Sequence, residues 1–249
     1  MVTGGPRARL VTLLAFVAAG CSALALADAP APAPPPPPHF VRPGMVRYHM
    51  QRRFDDLRAI EQLLVSGQLD EARTRAFLLV QPETDPGMAP WAADAKGVVE
   101  AARALHTAPN VDEACRREAR LAEACATCHL HANRPQTFGS LPPPPPDRPT
   151  VAARMARHQW AVDRLWEGLV GPTDERWLAG LEMLAAAPPP DSELTGAPAL
   201  GTRLQELART ALGTRRTEPL RNRADRYGEM LVTCAACHKR LWAPTSTVR

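Results

Sequence analysis

The chain has 249 residues and 45% hydrophobic content, which suits one large or two small globular domains. Its formal net charge is +4, and Arg7 and Arg9 supply two of the positive charges in a segment that we expect to be removed. The remaining charges are scattered, which predicts solvent-exposed helix faces rather than the basic stripe of a nucleic-acid binder. We therefore expect no nucleic-acid partner.

Residues 1–27 have the pattern of a secretory signal peptide. Arg7 and Arg9 precede the apolar run Leu10 to Ala19, and a positive segment followed by a short apolar one is typical of such signals. The run is too short to remain as a membrane anchor. We expect the mature protein to lie in the periplasm.

Two processing sites compete in this segment. Ala25-Leu26-Ala27 is a small-residue cleavage site before Asp28. Alternatively, Ala18-Ala19-Gly20-Cys21 resembles a lipoprotein box, in which the signal ends at residue 20 and Cys21 carries a lipid. Contact with a membrane is expected only through that lipid.

Two proline-rich segments divide the mature chain. Residues 28–44 are rich in Pro and Ala, a composition that favours an extended polyproline II spacer. Pro142 to Pro146 form a second run inside the segment 136–150. These linkers leave two domains of similar length, at 45–135 and 151–249.

Each domain contains four segments of helical periodicity, and no stretch alternates as a strand would, so we predict an all-α fold. The segments of the first domain are Met45 to Val65, Asp70 to Val80, Trp91 to His106 and Val111 to His129. Those of the second are Val151 to Val170, Asp174 to Ala187, Ala199 to Leu212 and Pro219 to Leu241.

The two domains are related as a repeat. A shift of 105 residues aligns Val46 with Val151 and Met50 with Met155. A shift of 109 aligns the cysteine motifs near the ends of the two domains. Four short helices in each copy predict two four-helix bundles in series.

The cysteine motifs are Cys125-Ala126-Thr127-Cys128-His129 and Cys234-Ala235-Ala236-Cys237-His238. C-x-x-C-H is the attachment signature of c-type haem. On a helix, positions i, i+3 and i+4 share one face, so both thiols can bond one porphyrin edge while the histidine ligates the iron. We predict two covalently bound haem c groups, with His129 and His238 as proximal ligands.

Zinc and disulfides are the alternative interpretations of these cysteines. The two C-x-x-C pairs are more than a hundred residues apart, far beyond zinc-site spacing. Redox C-x-x-C pairs usually accompany a βαβ pattern, which is absent from this sequence. A structural disulfide between positions i and i+3 of one helix has unfavourable geometry.

A c-type motif near the C-terminal end of a four-helix unit resembles the cytochrome c′ and cytochrome c-556 family. The resemblance covers residues 45–130 and 151–242 as two tandem copies. It implies that the first helix of each copy faces the distal side of the haem. Low-spin members place a methionine there as sixth ligand, whereas high-spin members leave the site open.

Met50 and Met155 are the positions that this resemblance implies for the sixth ligands. The alternative for each methionine is ordinary core packing. His49 competes with Met50, and His158, whose repeat counterpart is Arg53, competes with Met155.

Apart from Cys21, the remaining cysteine outside the motifs is Cys115. Its counterpart is Ala224, which predicts a small buried side chain. An unpaired thiol could instead link two chains.

These features predict an exported dihaem cytochrome that passes electrons between redox partner proteins, as a monomer or a homodimer. A haem-based sensor or binder of nitric oxide or carbon monoxide is the alternative. A dihaem peroxidase would need a distal acid–base group, for which His158 is the candidate. The sequence has no phosphate-binding glycine loop and no G-x-S-x-G, so an enzyme is not favoured.

Overall fold

The computed structural model describes residues 43–81, 86–134, 136–187, 197–213 and 218–242. The predicted signal peptide, Cys21 and most of the first linker lie outside these ranges. Within them all regular structure is helical, which confirms the all-α prediction. No helix in the described ranges is long and apolar enough to span a membrane.

The eight α-helices of the described ranges agree with the predicted segments to within two residues at each end. A short 3₁₀ helix at Pro86–Trp91 precedes the third of them. The helices are α1 Pro43–Val65, α2 Leu69–Val80, α3 Ala92–His106, α4 Val111–His131, α5 Val151–Val170, α6 Asp174–Ala186, α7 Ala197–Gly213 and α8 Leu220–Trp242.

Local signals explain several helix ends. The Asn110 side chain accepts a hydrogen bond from the Glu113 backbone N–H at 2.9 Å and so caps α4. Thr150 caps α5 in the same way through the Ala153 N–H, at 3.2 Å. After α1, Gly67 adopts φ of +77°, a left-handed conformation that glycine tolerates best and that ends the helix.

All eight helices belong to one compact unit with a continuous hydrophobic core. In each half, successive helices pack on one another, and α4 of the first half packs along α8 of the second. α1 also contacts α8, and α4 also contacts α5. Apolar side chains from both halves therefore share the core, whose largest buried members include Trp166, Trp177 and Tyr227.

Residues at equivalent repeat positions meet where the two halves join. Arg58 pairs with Asp163, its counterpart under the 105-residue shift. A Cβ built on Gly228 would lie 3.5 Å from the Cβ of Ala119, its counterpart under the 109-residue shift. Contact between equivalent positions is the mark of an approximate two-fold axis.

The expectation that charged helix positions face solvent is wrong for Glu61 and Glu118, which are 2% and 0% exposed. They lie on α1 and α4, two of the helices through which the halves pack. Sequence periodicity within one helix does not show a face that the other half of the chain covers.

The first and second helices of the two halves pack differently. A Cβ on Gly168 of α5 would lie 2.4 Å from the Trp177 backbone nitrogen, and one on Gly180 of α6 would lie 2.7 Å from the Ala161 carbonyl oxygen. The α5 and α6 backbones therefore approach too closely for any side chain at these positions. The repeat places Leu63 and Arg75 at the corresponding sites of α1 and α2.

The proline-rich segment between α4 and α5 is held against the second half. The Arg176 guanidinium donates to the carbonyl oxygens of Phe138 and Gly139. Arg157 donates to the Pro145 carbonyl oxygen at 2.9 Å. These hydrogen bonds hold the described part of the segment between α4 and α5, which we call the strap, against the second half.

Candidate functional site

The first cysteine motif opens onto a cavity between α1, α3 and α4, with about 570 Å³ of space not filled by atoms, part of it open to solvent. Cys125, Cys128 and His129 contribute one wall from α4, and Met50 contributes from α1. Most of the lining is apolar. The residues that line it are Met50, Arg53, Phe54, Leu57, Met88, Ala95, Val98, Cys125, Cys128, His129, Gln136 and Val170.

The second motif opens onto a larger cavity, with about 1460 Å³ of such space. Met155 and His158 of α5 line it together with the motif residues of α8. Residues from α1 and α7 complete its walls. The lining residues are Glu61, Gln62, Val65, Ser66, Val151, Met155, His158, Gln159, Val162, Leu200, Gly201, Leu204, Thr233, Cys234, Cys237, His238 and Leu241.

Most of the first lining set has its repeat counterpart in the second. The counterparts are Met50 and Met155, Arg53 and His158, Phe54 and Gln159, Leu57 and Val162, Ala95 and Leu200, Cys125 and Cys234, Cys128 and Cys237, and His129 and His238. The same structural positions therefore build both cavities.

Each cavity also takes wall residues from the other half. Val170, the last residue of α5, lines the first cavity, and Val65, the last residue of α1, lines the second. Val65 and Val170 are themselves counterparts under the 105-residue shift. This reciprocal exchange follows from the approximate two-fold axis.

The motif cysteines are free thiols in protected positions. Burial raises the pKa of Cys125 and the pKa of Cys234, each to about 12. Burial likewise raises the pKa of Cys128 and that of Cys237. Redox-active C-x-x-C pairs depend on a lowered thiol pKa, so these pairs lack the electrostatics of a disulfide oxidoreductase.

His129 is held in one tautomer. Its Nδ1 lies 2.8 Å from the Arg134 carbonyl oxygen, and because a carbonyl only accepts, Nδ1 carries the hydrogen. The Nε2 atom then carries the lone pair, which accepts a hydrogen bond from the Gln136 side-chain nitrogen at 3.0 Å. A second bond that fixes the tautomer and ring orientation is typical of metal-ligating histidines.

His238 and His158 share the second cavity in their neutral forms. Burial lowers the pKa of His238, and the backbone of Val65 partly opposes this effect. Burial also lowers the pKa of His158, with a further contribution from His238. A neutral imidazole is the form that binds a metal.

The candidate distal residues are divided between the two cavities. Met50 lines the first and Met155 the second. His49 is not among the first cavity's lining residues, and it accepts a hydrogen bond from Arg53 Nε at 2.5 Å. His158 does line the second cavity, where the first has Arg53.

The donor set fits a haem better than it fits a bare metal ion. Two thiols, an imidazole and a thioether line each apolar cavity, which is the ligand chemistry of c-type haem. Within the described residues, no three or more His, Cys, Asp or Glu side chains come together as metal ligands. The four motif cysteines thus form no zinc site there.

Sequence reasoning missed several cavity residues. Phe54 and Leu57 lie four and seven residues after Met50, on one helix face, so periodicity could have identified them. Val65 and Val170 each line the cavity of the other half. This placement depends on how the two halves pack together, and no local sequence pattern shows it. Cys115 is fully buried, as predicted from its alanine counterpart.

No protein-family model, curated protein or solved structure matches the chain.

Proposed function

We propose that this protein is an exported dihaem cytochrome c that transfers electrons between redox partner proteins in the periplasm. One observation carries the proposal. Each C-x-x-C-H motif shares an apolar cavity with a methionine from the first helix of its half, at equivalent positions in both halves.

The side chains have distinct roles in this proposal. Cys125 with Cys128, and Cys234 with Cys237, would each bond one porphyrin edge through thioethers. His129 and His238 would bind the iron, and Met50 and Met155 are the candidate sixth ligands. A haem bound in this way supplies reversible one-electron chemistry, and a thioether ligand favours a high potential.

The lining residues support a carrier because they limit contact of the cofactor with water. Phe54, Leu57, Val98 and Val170 present apolar surface to the first cavity. Burial and axial ligation are the means by which a protein tunes a haem for electron transfer.

The contacts between the halves support a tandem of two cytochrome c′-like four-helix bundles. The Arg58–Asp163 pair and the approach of Gly228 to Ala119 relate equivalent positions, as in a two-fold dimer. We infer that the fused halves replace a dimer of separate chains, so that the protein functions as a monomer.

A second candidate function rests on the second cavity. His158 lies there in its neutral form, which can act as a distal base, and the cavity is the larger of the two. This arrangement favours binding of nitric oxide, carbon monoxide or peroxide at the second haem. Carbon monoxide binding to one haem per chain in the reduced protein, lost with the second cysteine pair, would support it.

The decisive experiment expresses the full chain in a host that attaches haem c and measures its mass and absorption spectrum. We expect the mass of two haems per chain. Replacing Cys125 and Cys128 with Ala should remove one haem, and so should replacing Cys234 and Cys237. Cys115→Ala is the matched control and should retain both. A colourless protein without added mass would contradict the proposal.

A further inference from the structure

Two carboxylic acids are buried in the region that separates the cavities. Glu61 of α1 is 2% exposed, and Glu118 of α4 is 0% exposed. Glu61 lines the second cavity. Glu118 lies two helical turns before Cys125, which lines the first. The acids are therefore placed between the two candidate haem sites.

A continuous set of contacts joins Glu61 to the first cavity. The Arg58 guanidinium is 2.7 Å from the Glu61 carboxylate and 5.0 Å from the centre of the Trp166 ring. The Trp166 ring meets the Phe54 ring edge-on, with centroids 4.7 Å apart. Phe54 lines the first cavity, so one path of packed side chains spans both sites.

The charges around these acids do not balance if every carboxyl is ionised. Arg58 is the cation that the described structure places against them, and it also pairs with Asp163 of α5. In the described part of the chain neither oxygen of Glu118 forms a hydrogen bond of full geometry, and the weaker contact from the Trp166 indole brings no positive charge. An ionised carboxylate without a cation of its own is very costly in such a site, so Glu118 must hold a proton.

The repeat shows that other residue types fill the equivalent positions of the second half. The counterpart of Glu61 is Trp166, and that of Glu118 is Tyr227. Both aromatic residues are fully buried in the same core. Because apolar or aromatic side chains fill these positions in the second half, the acids of the first half point to a function other than packing.

We propose that Glu61 and Glu118 form a proton-binding site that couples proton uptake to electron transfer. When one electron from a redox partner enters the protein, one proton from solvent binds a carboxylate oxygen of this pair. When the electron leaves, that O–H bond breaks and the proton returns to solvent. This inference rests on the proposed haem function, because the electron must be held close to the acids.

Burial and the groups on the surrounding helices have opposing effects on the pKa values of the pair, and burial is the largest effect. Burial and Asp163 raise the pKa of Glu61 to about 7, although Arg58 opposes them. Burial and Glu61 raise the pKa of Glu118, against Arg58 and the Trp166 indole. From α8, Tyr227 lowers the pKa of Glu61, and burial raises the pKa of Tyr227 itself, so its hydroxyl stays protonated.

The pair also acts on both motifs and has a route to solvent. Glu118 contributes to the raised pKa of Cys125, and Glu61 contributes to that of Cys234. Ser66 and Val151, which line the same cavity as Glu61, are exposed. A proton can therefore reach Glu61 through this opening.

The test measures the midpoint potentials of the holoprotein from pH 5 to 9 by optical redox titration. We expect the potential to fall with rising pH around neutrality, by up to about 59 mV for each tenfold fall in proton concentration. Glu61→Gln should flatten this dependence. Glu100→Gln, which changes an exposed acid of α3, is the control and should retain it.

Infrared spectroscopy gives a second readout that does not depend on how Glu61→Gln folds. The wild-type protein at neutral pH should show a protonated carboxyl band that responds to reduction and that Glu118→Gln loses. Potentials independent of pH in a protein carrying two haems, or an unchanged slope in Glu61→Gln, would overturn the proton site alone. Absence of haem mass would instead overturn the proposed function and this inference together.

Discussion

The two cavities share their attachment positions and differ in the residues around them. Cysteine, histidine and methionine recur at equivalent sites in both. Arg53 and Phe54 of the first cavity, however, correspond to His158 and Gln159 of the second. The repeat thus preserves the cysteine, histidine and methionine residues that would hold a haem, and it varies the neighbouring side chains that would tune it. We therefore expect two haem sites of the same type with different properties.

The helix pairs that support the cavities differ as well. α5 and α6 meet through Gly168 and Gly180, whereas α1 and α2 have side chains at the corresponding positions. The second half therefore depends on a close backbone contact that the first half lacks.

Gly168→Ala gives the largest effect that we expect on folding. Its Cβ would meet Trp177 backbone atoms at 2.4 and 2.7 Å, and backbone cannot move aside as a flexible side chain can. We expect a loss of about 3 kcal/mol in the free energy of unfolding, measured by denaturant titration.

Gly97→Ala is the matched control in the first half. This glycine lies in α3 with nothing within 4 Å of an added Cβ. The substitution should stabilise the helix by up to about 1 kcal/mol. Equal destabilisation by both variants would show that the close contact of α5 and α6 is not the cause.

Methionine substitutions separate the two sites spectroscopically. If Met50 and Met155 are sixth ligands, Met50→Ala should convert about half of the low-spin signal to high-spin, and Met155→Ala the other half. Resonance Raman spectra of the oxidised and reduced proteins provide the measurement. Haem content should not change, because neither methionine attaches the porphyrin.

The second site has an additional candidate ligand, His158. A low-spin second site in Met155→Ala that becomes high-spin only when His158 is also replaced would assign the ligand to histidine. High-spin spectra of both sites in the unaltered protein would contradict methionine ligation altogether.

The smallest effect concerns stability against pH. The pKa of Glu61 is raised from 4.5 to about 7, so between these pH values the folded state binds more protons than the unfolded state. Stability must therefore fall as pH rises through this window. Between pH 5 and 8, the free energy of unfolding should fall by at least about 1 kcal/mol less in Glu61→Gln than in the wild type. Denaturant titration at each pH provides the measurement.

The half-buried His158 acts on stability in the opposite direction at lower pH, because its pKa is lowered. It is present in both proteins, so the comparison cancels its contribution. A wild type and a Glu61→Gln variant with parallel profiles would show that Glu61 is ionised and paired throughout.

The sequence predicted the helices well because the local signals are strong. Apolar periodicity predicted the helix ends to within two residues. The structure adds the side-chain caps at Asn110 and Thr150, which lie at two of these ends. Met50 and Met155, which the family resemblance implies and the repeat register matches, line the same cavities as the two motifs.

The contacts between the halves were not predictable in this way. Glu118 follows Arg116 and Arg117 in a charged segment, and nothing local shows that it points into a core shared with α5 and α8. The same holds for Val65 and Val170, whose positions depend on long-range packing. These features follow from how the two copies fit together.

The exchange of Val65 and Val170 has a consequence for how the molecule behaves on dilution. In a dimer of separate chains, a wall borrowed from the partner is lost when the subunits dissociate. Here the strap between α4 and α5 joins the two halves covalently. Each half therefore meets the other at a high effective concentration that does not change with protein concentration. Both cavities therefore stay complete even when the protein is scarce.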